Sequence, residues 1–226
     1  LGVAITALKH RGVKVAVISN GTMLWRDDVR ADLALADVVS LKVDSVEPAI
    51  WRRINRPQRA LLLPSVMDGM ERFARGYTGE LVTETMLVHG VNDDAEHMRP
   101  VGDFLAQLRP ARAYLSAPIR PPVEAWVQPP TDDALNCCYQ ALAARLGSVE
   151  YLIGYEGNAF ASTGNVGDDV LAITAVHPMR EDAIKSLLAR AGATWSVVQA
   201  LLDQGRLAVV EYHKQRCYVR RINRPT

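Results

Sequence analysis

Short runs of β-branched and aliphatic residues alternate along most of this chain with longer stretches of helical spacing. Residues 3–10 have helical spacing that stops at Gly12, a common helix terminator. Residues 14–18 form an apolar run ending in Ser19-Asn20-Gly21, which predicts a buried strand followed by a turn. The pattern continues as a helix over 25–36, a strand over 38–44 and a loop holding Pro48 and Pro57. A helix over 64–75, a strand over 81–88, a helix over 95–108, a strand over 112–117 and a helix over 132–146 follow. Strands alternating with helices of this length predict βα units around a parallel sheet. Four such units that start abruptly point to an α/β barrel, or a doubly wound sheet, without its first strands.

The rhythm then changes. Residues 180–191 read as an amphipathic helix, and Thr194 caps a second one running to Gln204-Gly205. Residues 207–212 and 217–221 alternate like the strands of a hairpin. Helix, helix and hairpin in succession resemble the second half of a winged-helix module. The expected division is therefore 1–176 for the α/β part and 177–226 for a winged-helix-like segment.

Charge follows the same division. Residues 177–226 carry nine Lys/Arg against four Asp/Glu, and residues 1–176 carry seventeen against twenty-one. The whole chain is close to neutral, at +1, so an acidic body with a basic tail points to two parts with different partners. A hydrophobic fraction of 49% with 23% charged residues excludes a disordered or low-complexity chain. No run of about eighteen apolar residues suits a membrane span. The three cysteines, Cys137, Cys138 and Cys217, are too few for a disulfide framework. With no secretion pattern at the start, a cytoplasmic location is expected. The first residue is Leu1, inside a stretch with helical spacing, so a fragment whose beginning is missing is expected.

Candidate chemistry lies at the carboxyl ends of the strands, where ligands of α/β folds bind. On the second strand Ser40, Lys42 and Asp44 share one face, opposite Val39, Leu41 and Val43. A cation and a carboxylate two residues apart are either an ion pair plugging the interior or part of an active site. Glu84, on the third strand, shares a face with Val82, Met86 and Val88 and needs a cation or a ligand. Asn20, Asn92 and Ser116 lie in turns or strand ends at the same rim. Glu156 and Asn158 could line the mouth, although turn chemistry also accounts for their neighbourhood. His177 with Arg180 suits either an anionic substrate group or a linker and helix start. On the helix over 132–146, Leu135, Cys138, Leu142 and Leu146 have core spacing, which makes Cys138 a small buried hydrophobe.

Taken in order, VAVISNGTML, VVSLKVDSVEPAIWRRINRP, ETMLVHGVND and YLSAPIRPP look like strands three to six of a radical S-adenosylmethionine enzyme. The likeness is greatest to iron–sulfur oxidoreductases related to the wyosine-forming tRNA enzymes, and YEGNAFASTGNVGDDVLAITAVHPMRE resembles the same group. The resemblance implies a partial (β/α)6 barrel lacking its first strands. It implies S-adenosylmethionine and a [4Fe–4S] cluster as cofactors, and a 5′-deoxyadenosyl radical that abstracts hydrogen from a small-molecule or tRNA-related substrate. It places Asn20 near the cofactor ribose or the substrate, and Lys42 and Asp44 by the methionyl part or the substrate. Glu84 would sit at the ribose level with Asn92 on the adjacent loop, and Ser116 near the adenine. A reductase or flavodoxin-type electron donor is the implied protein partner, and no membrane is. The family's C-x3-C-x2-C cluster loop does not occur in this chain, so its ligand cysteines are expected upstream of Leu1. Two alternatives stand beside this reading. One is a non-radical barrel enzyme with Lys42 as a Schiff-base nucleophile. The other is a nucleic-acid-binding module using Arg206, Lys214, Arg216, Arg220 and Arg221 of the tail.

Overall fold

A computed structural model describes residues 1–152, 160, 162–176, 178–212 and 215–221. The chain forms two compact units: residues Leu1–Pro118 with Trp126–Ile153, and Ile119–Ala125 with Gly154–Thr226.

The first unit runs α1 (Gly2–Lys9), β1 (Ala16–Ser19), α2 (Asp27–Leu33), β2 (Val38–Lys42), α3 (Pro48–Asn55), α4 (Leu63–Gly76), β3 (Glu80–Met86), α5 (Ala95–Leu108), β4 (Arg112–Ser116), α6 (Asp132–Ala143) and β5 (Val149–Leu152). The five strands are all parallel and lie in chain order, β1-β2-β3-β4-β5. Chain order without a switch point is the succession that βα units follow around a barrel. Helix α5 shows how the sequence sets this up. Asp94 caps it by accepting from the His97 amide at 2.9 Å, and Arg109 closes it in the left-handed region at φ 53°. Between those ends Met98, Val101, Phe104, Leu105 and Leu108 form one buried stripe.

That stripe packs with Phe73 of α4 and Leu142 of α6 against Val39, Leu41, Leu81, Ala113 and Leu115 of the sheet. Each of the Val, Leu, Phe and Met side chains contributes on the order of 1.5–3 kcal/mol through removal from water, and Ala113 less. The other sheet face differs. By register, Ser40 and Lys42 of β2 lie beside Val82 and Glu84 of β3, which lie beside Arg112 and Tyr114 of β4. Ile18, on the same face of β1, is 77% exposed, so here the sheet presents polar and accessible groups in place of a packed layer.

The second unit contains α7 (Val166–Val176), β6 (Met179–Arg180), α8 (Glu181–Arg190), α9 (Ser196–Asp203), β7 (Leu207–Tyr212) and β8 (Gln215–Arg220). Its antiparallel sheet has the order β6-β8-β7. Val170 and Leu171 of α7 belong to the same core as Ile184, Leu187, Val198, Leu201 and Tyr218. The expected boundary at 176/177 had left α7 with the first part; its apolar residues instead complete the core of the second. Trp195 meets Tyr218 edge to face at 5.6 Å. Asp169 caps the turn before α7, accepting from the Thr163 hydroxyl, the Thr163 amide and the Ser162 hydroxyl. Those donors hold its carboxyl below the usual range, Thr163 contributing most. Among the described residues no helix is long and apolar enough to cross a membrane.

Candidate functional site

Three neighbouring strands end in one polar cluster. Lys42 closes β2 directly opposite Glu84 of β3, and Ser116 closes β4 opposite Met86. The Lys42 ammonium lies 3.2 Å from Asp44 Oδ1 and 3.5 Å from Glu84 Oε1. The Ser116 hydroxyl donates to the same Glu84 oxygen at 2.8 Å. Asp44, 1% exposed, also accepts from the Met86 amide at 2.8 Å and from Asn55 Nδ2 at 2.6 Å. Its charge is thus met by an ammonium, an amide N–H and a carboxamide, the condition under which a buried carboxylate is tolerated.

The cluster has more acceptors than donors. Among the described residues, one cation faces two carboxylates. Asn55 Oδ1 is buried with no hydrogen-bond partner. Glu84, with a quarter of its side chain accessible, has its second oxygen outside any hydrogen bond among the described residues. An unfilled buried acceptor costs about 1–3 kcal/mol. A ligand bringing N–H groups or positive charge would fill both.

Asn92 has another task. It is fully buried and uses its side chain on backbone: Nδ2 donates to Asp44 O at 2.8 Å and Met86 O at 3.0 Å, and Oδ1 accepts from Val88 N at 2.8 Å. It latches the loop after β3 to the loop after β2. Asn20 is at the end of β1 and is exposed. Its Oδ1 accepts from the Thr22 amide and hydroxyl at 3.2 and 2.8 Å, a local turn apart from the Lys42 cluster.

Asn55 is the cluster member that pattern reading missed. It comes from α3, in the stretch expected to be a loop, and the Ile54-Asn55-Arg56-Pro57 string was its only signal. As an amine nucleophile, Lys42 would have to leave both of its ion pairs.

The remaining candidates separate. Arg180 begins α8 with Nε 3.1 Å from Asp182 Oδ1. Arg206 precedes β7 and accepts at its carbonyl from the Arg221 amide at 2.9 Å, so Arg206, Arg220 and Arg221 gather at the open end of the hairpin. Arg216 stands near its other end, 3.8 Å from Glu181. Glu156, Asn158, His177 and Lys214 lie outside the described residues.

The cysteines offer no cluster. Among the described residues no three His, Cys, Asp or Glu side chains are placed to hold a metal ion. Cys137 is exposed, whereas Cys138 and Cys217 are buried. Burial pushes the Cys138 thiol up to about 12. A maleimide added to the native protein should therefore label Cys137 and spare Cys138 and Cys217, as read by peptide mass; equal labelling of Cys138 would contradict its packing.

A parallel sheet packed on one face, with a polar cluster at the carboxyl ends of β2, β3 and β4, defines an α/β protein with a charged rim built from strand ends. The fold is similar to that of a domain of a pyruvate-formate lyase-activating enzyme from Bacteroides vulgatus, with a TM-score of 0.53 and 18% identity over 66% of this chain and 86% of that one. No protein-family profile matches the chain. A UPF0026 protein of Methanocaldococcus jannaschii is 37% identical over 220 residues, which are 96% of this chain and 68% of that protein. A UPF0026 protein of Helicobacter pylori is 31% identical over 127 residues, 56% of this chain and 41% of the relative. The chain belongs to the UPF0026 family.

Proposed function

We propose that this chain is part of a radical S-adenosylmethionine enzyme, and that the rim of Lys42, Asp44, Glu84, Ser116 and Asn55 receives the nucleotide. The observation that carries this reading is the acceptor surplus of that rim, with Asn55 Oδ1 buried and unfilled and Glu84 partly open. A sulfonium ligand with an α-ammonium and ribose hydroxyls supplies the missing positive charge and donors. The similarity of fold to the activating-enzyme domain supports the same architecture.

The residues present do not fit a [4Fe–4S] cluster. Cys137 and Cys138 adjoin on one helix with the second thiol buried, and Cys217 is in the other compact unit. In this reading the three cluster cysteines lie in a segment outside this sequence. When bound in the intact protein, S-adenosylmethionine would supply a 5′-deoxyadenosyl radical, its C5′–S bond breaking on uptake of one electron from a reduced cluster with methionine as the leaving group. The chain's own residues bind and orient it: carboxylates oppose its charge, Ser116 fixes Glu84, and Asn92 holds the two loops together. The second unit's order of helix, strand, two helices and hairpin supports the winged-helix reading. A small-molecule or tRNA-related substrate, a flavodoxin-type donor and a cytoplasmic location complete the proposal.

The test uses the gene product extended upstream of Leu1. It should carry a three-cysteine loop and turn brown on anaerobic reconstitution with iron and sulfide. Glu84→Gln should then weaken S-adenosylmethionine binding about tenfold in calorimetry, which corresponds to about 1.4 kcal/mol. An extended product without such a loop ends the proposal.

A further inference from the structure

Helix α3 carries a charge distribution that the rim chemistry does not use. Between Glu47 and Asp68 the chain has no acidic residue and four arginines, Arg52, Arg53, Arg56 and Arg59, although residues 1–176 as a whole are acidic. All four are exposed. Trp51, 5% exposed, anchors the helix in the core. Pro48 starts it, and Arg56 ends it in the left-handed region at φ 48°. Arg52 is tied down by donating to Leu61 O at 3.1 Å. The Arg53 guanidinium lies 4.8 Å over the ring of Trp126, which is 37% exposed. The last residue of the helix is Asn55, bonded to Asp44, so this basic surface adjoins the polar rim.

We propose that the α3 surface binds a single-stranded nucleic-acid segment, with Arg53, Arg56 and Arg59 on its phosphates and Trp126 under a base. Guanidinium forks match phosphate oxygens in geometry as well as charge. An accessible indole beside them is the combination that strand-binding surfaces use, since every base has a face to stack. An acidic protein surface would complement the basic charge but would make no use of the accessible indole beside it. A duplex would hide its bases from the indole. This surface is separate from the tail arginines, and the inference requires no radical chemistry. The tail repeats the α3 string: residues 52–57 and 220–225 are both RRINRP, so the experiment must tell the two apart.

The probe is a short, fluorescein-labelled single-stranded RNA of mixed sequence, followed by anisotropy against the full 226-residue chain at several salt concentrations. The triple variant Arg53→Gln, Arg56→Gln, Arg59→Gln should reduce affinity at least tenfold at low salt. It should flatten the salt slope by about 2, because each phosphate left unneutralised on a single strand removes about 0.7. The corresponding lysine triple should recover most of the slope. Trp126→Leu should weaken binding about fivefold or more, and Trp126→Phe should restore it. Thermal melts identify any variant that has lost its fold, and the lysine and phenylalanine variants keep the question answerable in that event. Binding that survives the α3 triple but is abolished in Arg206→Gln, Arg220→Gln, Arg221→Gln assigns the strand to the tail and overturns the proposal. No binding at low salt overturns it too. A silent Trp126→Leu beside an effective arginine triple removes the stacking argument and, with it, the preference for nucleic acid. Each of these outcomes leaves S-adenosylmethionine binding at the rim to be judged separately.

Discussion

Replacing Asp44 with alanine should destabilise the first unit by about 3–5 kcal/mol, the range seen when one partner of a buried charged network is removed. Three donors converge on this carboxylate: the Lys42 ammonium, the Met86 amide and the Asn55 carboxamide. Alanine leaves all three facing a void, and the Met86 N–H loses its acceptor at the end of β3. Asp44→Asn keeps the shape and the Oδ1 acceptor for Met86. It sets one carboxamide NH2 against that of Asn55 and removes the charge opposite Lys42, so its loss should fall between wild type and alanine. Two compact units make a single global unfolding transition a poor measure. Amide hydrogen exchange read locally is better. The Met86 amide should lose protection in Asp44→Ala while Leu187 and Leu188, in the core of the second unit, keep theirs. Unchanged Met86 protection would show that the rim network does not organise the strand ends.

How much of this was legible in the sequence follows from the length and sidedness of each element. Helix α5 was readable because its caps and buried stripe span four turns, and the predicted bounds 95–108 match the observed Ala95–Leu108. The sidedness of Lys42 and of Glu84 was readable because side chains in a strand alternate strictly, but their meeting depends on the register between β2 and β3, which alternation alone does not set. Asn55 was not, because eight residues between two prolines leave too few turns for a helical period to emerge. Strand β5 was missed for a related reason: only Val149 of its four residues is buried, so no alternation marks it. Strand β6 has two residues and no pattern at all. Helix α7 carries apolar residues around most of its circumference, and only its packing with α8 and α9 reveals which part of the chain it serves. The roles within the rim were beyond the sequence for another reason. Asn20, Asn92 and Ser116 occupy similar turn or strand-end settings, yet one closes its own turn, one latches two loops and one fixes a carboxylate. Only geometry separates these.

Asn92→Ala should reduce the stability of the first unit by about 3 kcal/mol, and the expected size comes from buried backbone groups. Val88 N–H loses its acceptor and the carbonyls of Asp44 and Met86 lose their donor, in a site with no access to water. The unsatisfied N–H alone costs about 1–3 kcal/mol. Asn92→Asp tests the direction of those bonds. Its charged form places a carboxylate oxygen against two carbonyl oxygens, which disfavours ionisation in the folded state and raises the carboxyl above its unfolded value of about 3.9. Below that value both states are protonated, and the neutral acid can still donate to one carbonyl. Above it the unfolded chain gives up its proton while the folded chain retains it, so stability falls as pH rises until the folded carboxyl has also ionised. Asn92→Asp should therefore be less stable than Asn92→Ala at neutral pH and recover on mild acidification, as measured by urea midpoints at several pH values. Because Asn92 holds the Asp44 backbone and Asp44 in turn holds Met86, the effects of Asp44→Ala and Asn92→Ala should sum to more than the double variant shows. Strict additivity would mean that the two loops are fixed independently and that Asn92 does not set the position of the rim carboxylate.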